Sequence, residues 1–329
     1  MTPSTALVTG ANSGLGFHAA ARLAKAGFTR VVLVARTVEK ASTARARLVD
    51  ELGSDPFEVL AADMGDFAAV RAAVSQLAER GGSIDYVLLN AGLIGGMTIK
   101  HADEGIEVAM AASVVGHHIL ATELVEAGLI SDAGTIVIAG SEAARGDMPT
   151  MTLTDVPEFA KTHTGGDRVK AVNTILRGAA PYKYANMPNY AMVKVFVAWW
   201  ASAMARRLPK GVGVYAVSPG GTANTNAYQH QSAVMLFMMK RVVVPLMQLT
   251  GMAHSLDVGV DRYLAPLEWG SDRSGEFWAS KPGMGNVVGP LEKMTQPHLA
   301  DIENAEALWT ALVHVTGANL RATSSVVNG

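Results

Sequence analysis

A tyrosine and a lysine four residues apart, Tyr190 and Lys194, are the side chains in this sequence best suited to acid–base chemistry. On a helix this spacing places both side chains on one face, one turn from each other. A free tyrosine titrates near pH ~10 and donates protons poorly at neutrality. A neighbouring ammonium lowers the pKa of the phenol toward a useful range. The same spacing also occurs on surface helices without a catalytic role, so the upstream segments decide between the two interpretations.

A glycine-rich turn near the N-terminus predicts a phosphate site. Residues 5–9 are typical of a buried strand, and a helix is predicted over about 15–27. The expected cofactor contacts in and beside the turn are Thr9, Gly10, Asn12, Ser13, Gly14, Leu15 and Gly16. Glycines let the backbone approach a pyrophosphate, and the helix start offers N–H groups and the positive end of the dipole. A turn of this composition also occurs without a ligand, but its place between strand and helix favours phosphate binding.

The residue that follows the second strand bears on the choice of nucleotide. The predicted strand 30–35 ends at Ala35, and Arg36 comes next, with no acidic residue at that place. In a dinucleotide fold an acidic residue there holds the ribose 2′-hydroxyl, whereas an arginine accommodates a 2′-phosphate. A solvated arginine without a ligand is the alternative. The sequence therefore predicts NADP(H) in preference to NAD(H).

Strand-length apolar segments alternate with helical segments along the chain. Helices are predicted over about 37–52, 66–80 and 105–128, and strands over 57–61, 86–90, 134–139 and about 212–217. This alternation predicts an α/β fold, a Rossmann-type doubly wound parallel sheet with helices on both faces. Ligands of such sheets bind beyond the carboxyl ends of the strands. The residues that follow these predicted strands include Asp63, Met64, Asn90, Ala91, Gly92 and Ser141.

The composition excludes several classes of function. Hydrophobic residues make up 49% of the chain and charged residues 17%, as in globular proteins. The net charge of −2 provides no electrostatic basis for binding nucleic acid. There are no cysteines, and the histidines show no metal-ligand spacing, so we expect no metal site. The N-terminus lacks the pattern of a signal peptide, and we expect a cytoplasmic protein.

Four motifs occur in the order Thr9-Gly-x-x-x-Gly14-x-Gly16, Asn90-Ala-Gly92, Ser141 and Tyr190-x-x-x-Lys194. In these motifs and their order the chain resembles the short-chain dehydrogenase/reductase family. In pattern it is most similar to the retinol-dehydrogenase-like and carbonyl-reductase-like members that use NADPH. The resemblance implies that Tyr190 exchanges a proton with the substrate oxygen. It also implies that Lys194 lowers the pKa of that tyrosine and binds the nicotinamide ribose, and that Ser141 stabilises charge on the reacting oxygen.

The resemblance also assigns the rest of the cofactor site. Asn90, Ala91 and Gly92 would support the adenine side, and Asp63 with Met64 would contact adenine. The segment 217–222 resembles the family's nicotinamide loop. Its expected contacts are Pro219, Gly220 and either Thr222 or Thr225.

Two departures from the family pattern stand out. Ser113 occupies the slot where the family usually carries an asparagine that links the lysine to a water chain, so the proton relay is weakened or routed differently. The segment 145–188, between Ser141 and Tyr190, is far longer than is usual, with helical periodicity only over Asp167 to Leu176. Long loops of this kind are often functional. Carbonyl reductases carry a comparable insertion that covers an oligomer face, so a monomer or a homodimer is expected.

The chain is predicted to form a single domain over 1–317, followed by a flexible tail over 318–329. Residues 226–252 are apolar and rich in methionine. This segment is interpreted as a lid over a lipophilic substrate. A helix packed on the body and contact with a membrane surface are the alternatives.

The predicted function is NADP(H)-dependent hydride transfer between the nicotinamide and a ketone, aldehyde or alcohol, with a bulky lipophilic small molecule as substrate. Reduction of a C=C bond, as in protochlorophyllide reductases, is one alternative because those enzymes share the tyrosine and lysine. A non-catalytic NADP-binding sensor is the other, and Ser113 is the one feature in its favour.

Overall fold

The computed structural model describes residues 4–222, 254–283 and 286–320. Its described strands form one sheet in the order β3-β2-β1-β4-β5-β6-β7-β8. Strands β1 to β7 pair in parallel, and β8 pairs antiparallel to β7. The bounds are β1 Thr5–Thr9, β2 Arg30–Ala35, β3 Phe57–Ala61, β4 Ile84–Leu89, β5 Ile130–Ala139, β6 Gly213–Val217, β7 Phe277–Ser280 and β8 Leu291–Lys293. The strand order reverses between β1 and β4, where doubly wound sheets bind ligands.

Helices cover both faces of this sheet. They are α1 Gly14–Lys25, α2 Val38–Leu52, α3 Phe67–Arg80, α4 Val108–Glu126, α5 Val156–His163, α6 Arg168–Arg177, α7 Asn186–Ala205, α8 Leu256–Leu264 and α9 Ile302–Thr316. Because successive strand side chains point to opposite faces, Leu7 of β1 joins the core beneath α3, α4 and α7. Its neighbours Ala6 and Val8 join the core beneath α1, α2 and α8. The predicted doubly wound fold is confirmed.

Helix α4 is long and apolar enough to span a membrane by length and composition, but 78% of its apolar window is buried in the protein. It is a core helix of the fold. Five of its residues, Ala111–Val115, form a π-turn between the α-helical segments Val108–Met110 and Gly116–Glu126. Such turns often mark functional sites, and Ser113 lies within this one.

The long segment before α7 folds into two helices, α5 and α6, where the sequence predicts periodicity only over Asp167 to Leu176. Each helix begins with an aspartate: Asp155 accepts from the Glu158 amide at 2.9 Å, and Asp167 accepts from the Lys170 amide at 3.0 Å. These caps satisfy amide groups that the helix itself leaves unpaired. Helix α5 has eight residues and Pro157 in its first turn, so its periodicity is too short to be distinguished from a loop.

The packed body extends to the end of the last described range. Ala318 and Leu320 are buried, and the Ala318 carbonyl bonds the His118 ring at 3.0 Å. These residues therefore belong to the core, although the sequence predicts a flexible tail from 318. Residues 321–329 and the predicted lid over 226–252 lie outside the described residues.

Candidate active site

Lys194 connects helix α7 to the end of β5, the strand that precedes Ser141. Its Nζ donates a 2.7 Å hydrogen bond to the carbonyl of Ala139, the last residue of β5. The same ammonium lies 5.7 Å from the centre of the Tyr190 ring. Burial lowers the pKa of Lys194 to about 8. The cation, the phenol and the start of the Ser141 turn are therefore brought to one place; the spacing of Tyr190 and Lys194 predicts the first two of these.

A second connection holds the start of α7. Asn189, directly before Tyr190, donates from Nδ2 to the Glu107 carboxylate at 2.9 Å. The same Glu107 oxygen accepts from the amides of Ala109 and Met110 and so caps α4. Both Glu107 and Asn189 are fully buried. The sequence carries no distinctive signal for this pair, because a lone Glu before a helix resembles an ordinary cap.

Ser141 is positioned by the turn that follows β5. It is the N-cap of a short 3₁₀-helix, Glu142–Arg145, and its Oγ accepts from the Ala143 amide at 3.2 Å. A hydroxyl has one proton to donate besides its acceptor capacity. With the oxygen oriented by Ala143, that proton is the part of Ser141 suited to a substrate oxygen.

The glycine-rich turn has the shape of a phosphate cradle. Gly10 and Gly14 have φ of +66° and +56°, which favour glycine. A Cβ at Gly16 would lie 2.5 Å from the Gly10 carbonyl oxygen, whereas a Cβ at Gly14 would meet no atom within 4 Å. The Ser13 side chain makes no capping hydrogen bond to α1, and the first turn carries no acidic residue. Open space before an uncapped helix start fits a dinucleotide pyrophosphate.

Thr9 supports this turn from behind. Its side chain is fully buried, and its Oγ1 accepts from the amides of Asn90 and Ala91 at 2.8 and 2.9 Å. The Asn90 side chain in turn donates to the Thr9 carbonyl at 3.0 Å. Thr9 was expected among the cofactor-binding residues, but its complete burial gives it a structural role. It joins the ends of β1 and β4 at the point where the strand order reverses.

His117 completes this buried group. Its Nε2 lies 2.9 Å from the Thr9 Oγ1, and its Nδ1 lies 3.4 Å from the Ser113 carbonyl. Burial lowers the pKa of His117 to about 3, so the ring is neutral at physiological pH. His117 is thus a core residue, and it connects the glycine turn to the π-turn of α4.

Ser113 lies in the π-turn against the strand-end motif. A Cβ on Gly92 would lie 2.9 Å from the Ser113 Oγ, so the two residues are in close contact. Among the described residues, this buried hydroxyl has no hydrogen-bond partner. The loss of the usual asparagine therefore leaves a small polar group beside Gly92 and one turn before His117.

The residues expected near adenosine lie along the β2 and β3 ends. Arg36 is exposed directly after β2. The Asp63 carboxylate accepts from the Gly65 amide at 3.0 Å, which fixes the turn after β3. Met64 is buried, and a Cβ at Gly116 would lie 2.1 Å from its carbonyl oxygen. Of these three residues, Arg36 and the exposed part of Asp63 are thus available to a ligand through their side chains.

The expected nicotinamide loop follows β6. Pro219 is buried, and Gly220 has φ of +80°. Thr222 forms a parallel bridge with His254. Thr225 lies outside the described residues. No group of three or more His, Asp or Glu side chains suited to a metal occurs in the ranges that the structure describes.

Comparison with known proteins agrees with this geometry. The family model described as short chain dehydrogenase matches residues 4–153. The short-chain dehydrogenase/reductase phmF of Phaeosphaeria nodorum is 23% identical over 282 residues, which cover 84% of this chain and 77% of the relative. Human retinol dehydrogenase 13 is 24% identical over 317 residues, with 95% and 84% covered.

Among solved structures, the L-sorbose reductase of Gluconobacter frateurii, complexed with NADPH and L-sorbose, superimposes with a TM-score of 0.61. The two are 19% identical, and the match covers 88% of this chain and 98% of the reductase. At this identity the likeness supports the fold alone. The matched family model, the two relatives and the ordered motifs support the chain's membership of the short-chain dehydrogenase/reductase family of oxidoreductases.

Proposed function

We propose that this protein is an NADP(H)-dependent carbonyl reductase or alcohol dehydrogenase. The observation that carries the proposal is the position of Lys194. Its ammonium lies beside the Tyr190 ring and bonds the strand end that leads into Ser141. A phenol with a buried cation beside it is a proton donor whose conjugate base is stabilised. The bound nicotinamide would supply or accept the hydride.

The chain's own residues handle the proton and the charge. In the reductive direction the Tyr190 phenol donates its proton to the substrate oxygen, and the Ser141 hydroxyl donates a hydrogen bond to the same oxygen. Lys194 stabilises the phenolate that Tyr190 leaves. In the oxidative direction Tyr190 accepts the proton from the alcohol.

The preference for NADP(H) rests on Arg36. Its exposed side chain lies directly after β2, where a guanidinium can pair with a 2′-phosphate through charge-assisted hydrogen bonds. The structurally similar L-sorbose reductase is complexed with NADPH. Gly14 and the start of α1 would hold the pyrophosphate, and the loop after β6 would contact the nicotinamide.

A bulky lipophilic substrate is the finer part of the proposal. The segment after Gly92 includes Leu93, Ile94 and Met97, and Met97 is 89% exposed. The Met97 sulfur lies 4.0 Å from the Asn186 amide nitrogen at the start of α7. An exposed, adaptable thioether beside the catalytic helix suits an apolar ligand. A retinol dehydrogenase among the relatives points to the same class of substrate.

Substitution of Tyr190→Phe tests the function. A panel of aliphatic and aromatic aldehydes and ketones is offered with NADPH, and NADPH oxidation and products are measured. Turnover should fall by about 10²–10⁴-fold, while NADPH binding stays within a few-fold of wild type. The control is Tyr215→Phe, which removes a hydroxyl that bonds the Gly270 carbonyl. Unchanged turnover in Tyr190→Phe would refute the mechanism, and saturated C–C products would identify the protein as a C=C reductase.

A further inference from the structure

A buried pair of opposite charges lies next to Ser141. Glu142, the residue after Ser141, and Arg262 of α8 have side chains only 4% and 6% exposed. Their closest charged atoms, Glu142 Oε1 and Arg262 Nη1, are 3.7 Å apart. Charged side chains are rarely buried without a complete set of partners. The proposed reaction gives neither residue a role.

The Glu142 carboxylate joins the carboxyl ends of three neighbouring strands. It belongs to the turn after β5. Its Oε2 accepts from the Ser218 hydroxyl, after β6, at 2.6 Å. Its Oε1 accepts from the amide of Ser280, the last residue of β7, at 3.0 Å. Both serines are fully buried. One carboxylate thus holds the Ser141 turn to the start of the expected nicotinamide loop.

Arg262 holds the same loop from the other side. A Cβ at Gly220 would lie 2.6 Å from the Arg262 Nη1 and 2.6 Å from a ring carbon of His254. Arg262 also donates to the Ser280 hydroxyl at 3.0 Å and to the Gly289 carbonyl. Its Nη2 lies 2.8 Å from the His254 Nε2. Gly220 must therefore lack a side chain for the Arg262 guanidinium to pack directly against the loop.

Further hydrogen bonds hold the loop Ser218–Gly221 in place. The Ser218 oxygen that donates to Glu142 also accepts from the Gly220 amide at 3.1 Å. The Gly221 carbonyl accepts from the His254 amide at 2.7 Å. Burial and the Arg262 cation lower the pKa of His254, which keeps its Nε2 an acceptor for the guanidinium. Ser218 to Gly221 are thus held between the carboxylate and the guanidinium.

We propose that Glu142 and Arg262 are positioning residues that fix the loop Ser218–Gly221 relative to Ser141, and so set how the nicotinamide meets the substrate carbonyl. This inference rests on the proposed function. Buried ion pairs contribute positional definition more dependably than stability. Breaking this pair should therefore misplace the nicotinamide end of the cofactor. The glycine turn after β1 should continue to bind the pyrophosphate.

The test compares Glu142→Gln and Arg262→Met with wild type, using NADPH as the probe. The dissociation constant, the fluorescence lifetime of the bound reduced nicotinamide and the thermal midpoint are measured with kcat and KM. Both variants should bind NADPH within about threefold of wild type, with a shortened or heterogeneous lifetime. Their kcat should fall at least about tenfold, since small misplacements cost up to roughly 10²-fold. Ser218→Ala, which removes only the 2.6 Å bond, is the milder variant if either substitution prevents folding.

The matched control is Glu58→Gln, which breaks the ion pair of Glu58 with Arg30 (Nε to Oε1, 2.8 Å) at the amino ends of the strands. Glu58→Gln should keep the wild-type kcat and the wild-type fluorescence lifetime of bound NADPH, even if its thermal midpoint changes. A wild-type lifetime and kcat in Glu142→Gln would overturn the positioning role, as would a loss of kcat with an unaltered lifetime. If the wild-type protein binds NADPH but reduces no carbonyl, the proposed function alone is refuted. The fluorescence lifetime of the bound NADPH then still tests whether Glu142 and Arg262 position the nicotinamide. A wild type that binds no NADPH would refute both.

Discussion

The Nζ of Lys194 donates a 2.7 Å hydrogen bond to the carbonyl of Ala139, 55 positions earlier in the chain. Ala139 ends β5, and Ser141 follows two residues later. The bond therefore fixes α7 and the Ser141 turn relative to each other. It also orients the ammonium so that it remains beside the Tyr190 ring. A single cation thus supports the architecture of the site and, in the proposed mechanism, its acid–base chemistry.

The pH dependence of reduction should follow the charge on Lys194. Burial lowers the pKa of Lys194 from 10.5 to about 8, so the ammonium is present below pH 8 and is lost as the pH rises through 8. Without the cation the Tyr190 phenolate loses its stabilising partner. We expect the reductive kcat to be level from pH 6 to 7.5 and to decline above pH 8. His117 stays neutral over this range, because burial lowers its pKa to about 3. A rate that rises through pH 8 to 9 would contradict the assignment.

Lys194→Met should increase the stability of the fold while it removes activity. The lowered pKa means that the folded protein binds the lysine proton more weakly than the unfolded chain does. The buried charge therefore opposes folding below pH 8, and this penalty is relieved as the pH rises toward 10.5. We expect Lys194→Met to raise the free energy of unfolding at pH 7 by about 1–2 kcal/mol, after loss of the Ala139 bond is allowed for. Turnover should be abolished. Denaturant unfolding of both proteins at pH 7 and pH 10 checks this. The increase in unfolding free energy of Lys194→Met over wild type should be smaller at pH 10.

Arg36→Ala should weaken the binding of NADPH and leave NADH unaffected. A charge-assisted hydrogen bond contributes about 1.5–3 kcal/mol, which corresponds to roughly a tenfold to hundredfold loss of affinity. Titration by nicotinamide fluorescence measures both cofactors. Arg45→Ala is the control, because Arg45 is exposed on α2 but pairs with Asp55. Equal loss for NADPH and NADH, or none for either, would show that Arg36 does not contact a 2′-phosphate.

Gly16→Ala should destroy the cofactor turn. Its Cβ would lie 2.5 Å from the Gly10 carbonyl oxygen and 2.6 Å from the Asn90 side-chain nitrogen, which is held by its hydrogen bond to the Thr9 carbonyl. We expect NADPH binding to fall more than about 10²-fold, with a loss of about 1–3 kcal/mol in unfolding free energy from overpacking.

Gly53→Ala is the control for this glycine. Gly53 ends α2 with φ of +66°, and a Cβ there would meet no atom within 4 Å. It should cost about 1 kcal/mol from backbone strain alone and leave NADPH binding unchanged. Similar NADPH affinity in Gly16→Ala and Gly53→Ala would show that the turn is not the pyrophosphate site.

Several elements were predictable because their signals are local. The strand β1, the glycine turn and α1 follow one another within about twenty residues, and each has its own pattern of apolar residues or glycines. The spacing of Tyr190 and Lys194 works in the same way, because one helical turn brings the two together whatever surrounds them. The helix α5 was not predictable, since eight residues carry too little periodicity.

The alternation of strands and helices as far as β6, the motifs at the strand ends and the chemistry that those motifs support are predictable from the sequence, because each depends on neighbouring residues. Which distant residues come together around the site depends on the tertiary structure. Glu142 and Arg262 meet because three parallel strands end side by side and α8 packs beside them. Thr9 proved to be a support because β4 and α4 enclose its hydroxyl. Such contacts depend on the closure of the whole sheet, for which no local pattern carries a signal.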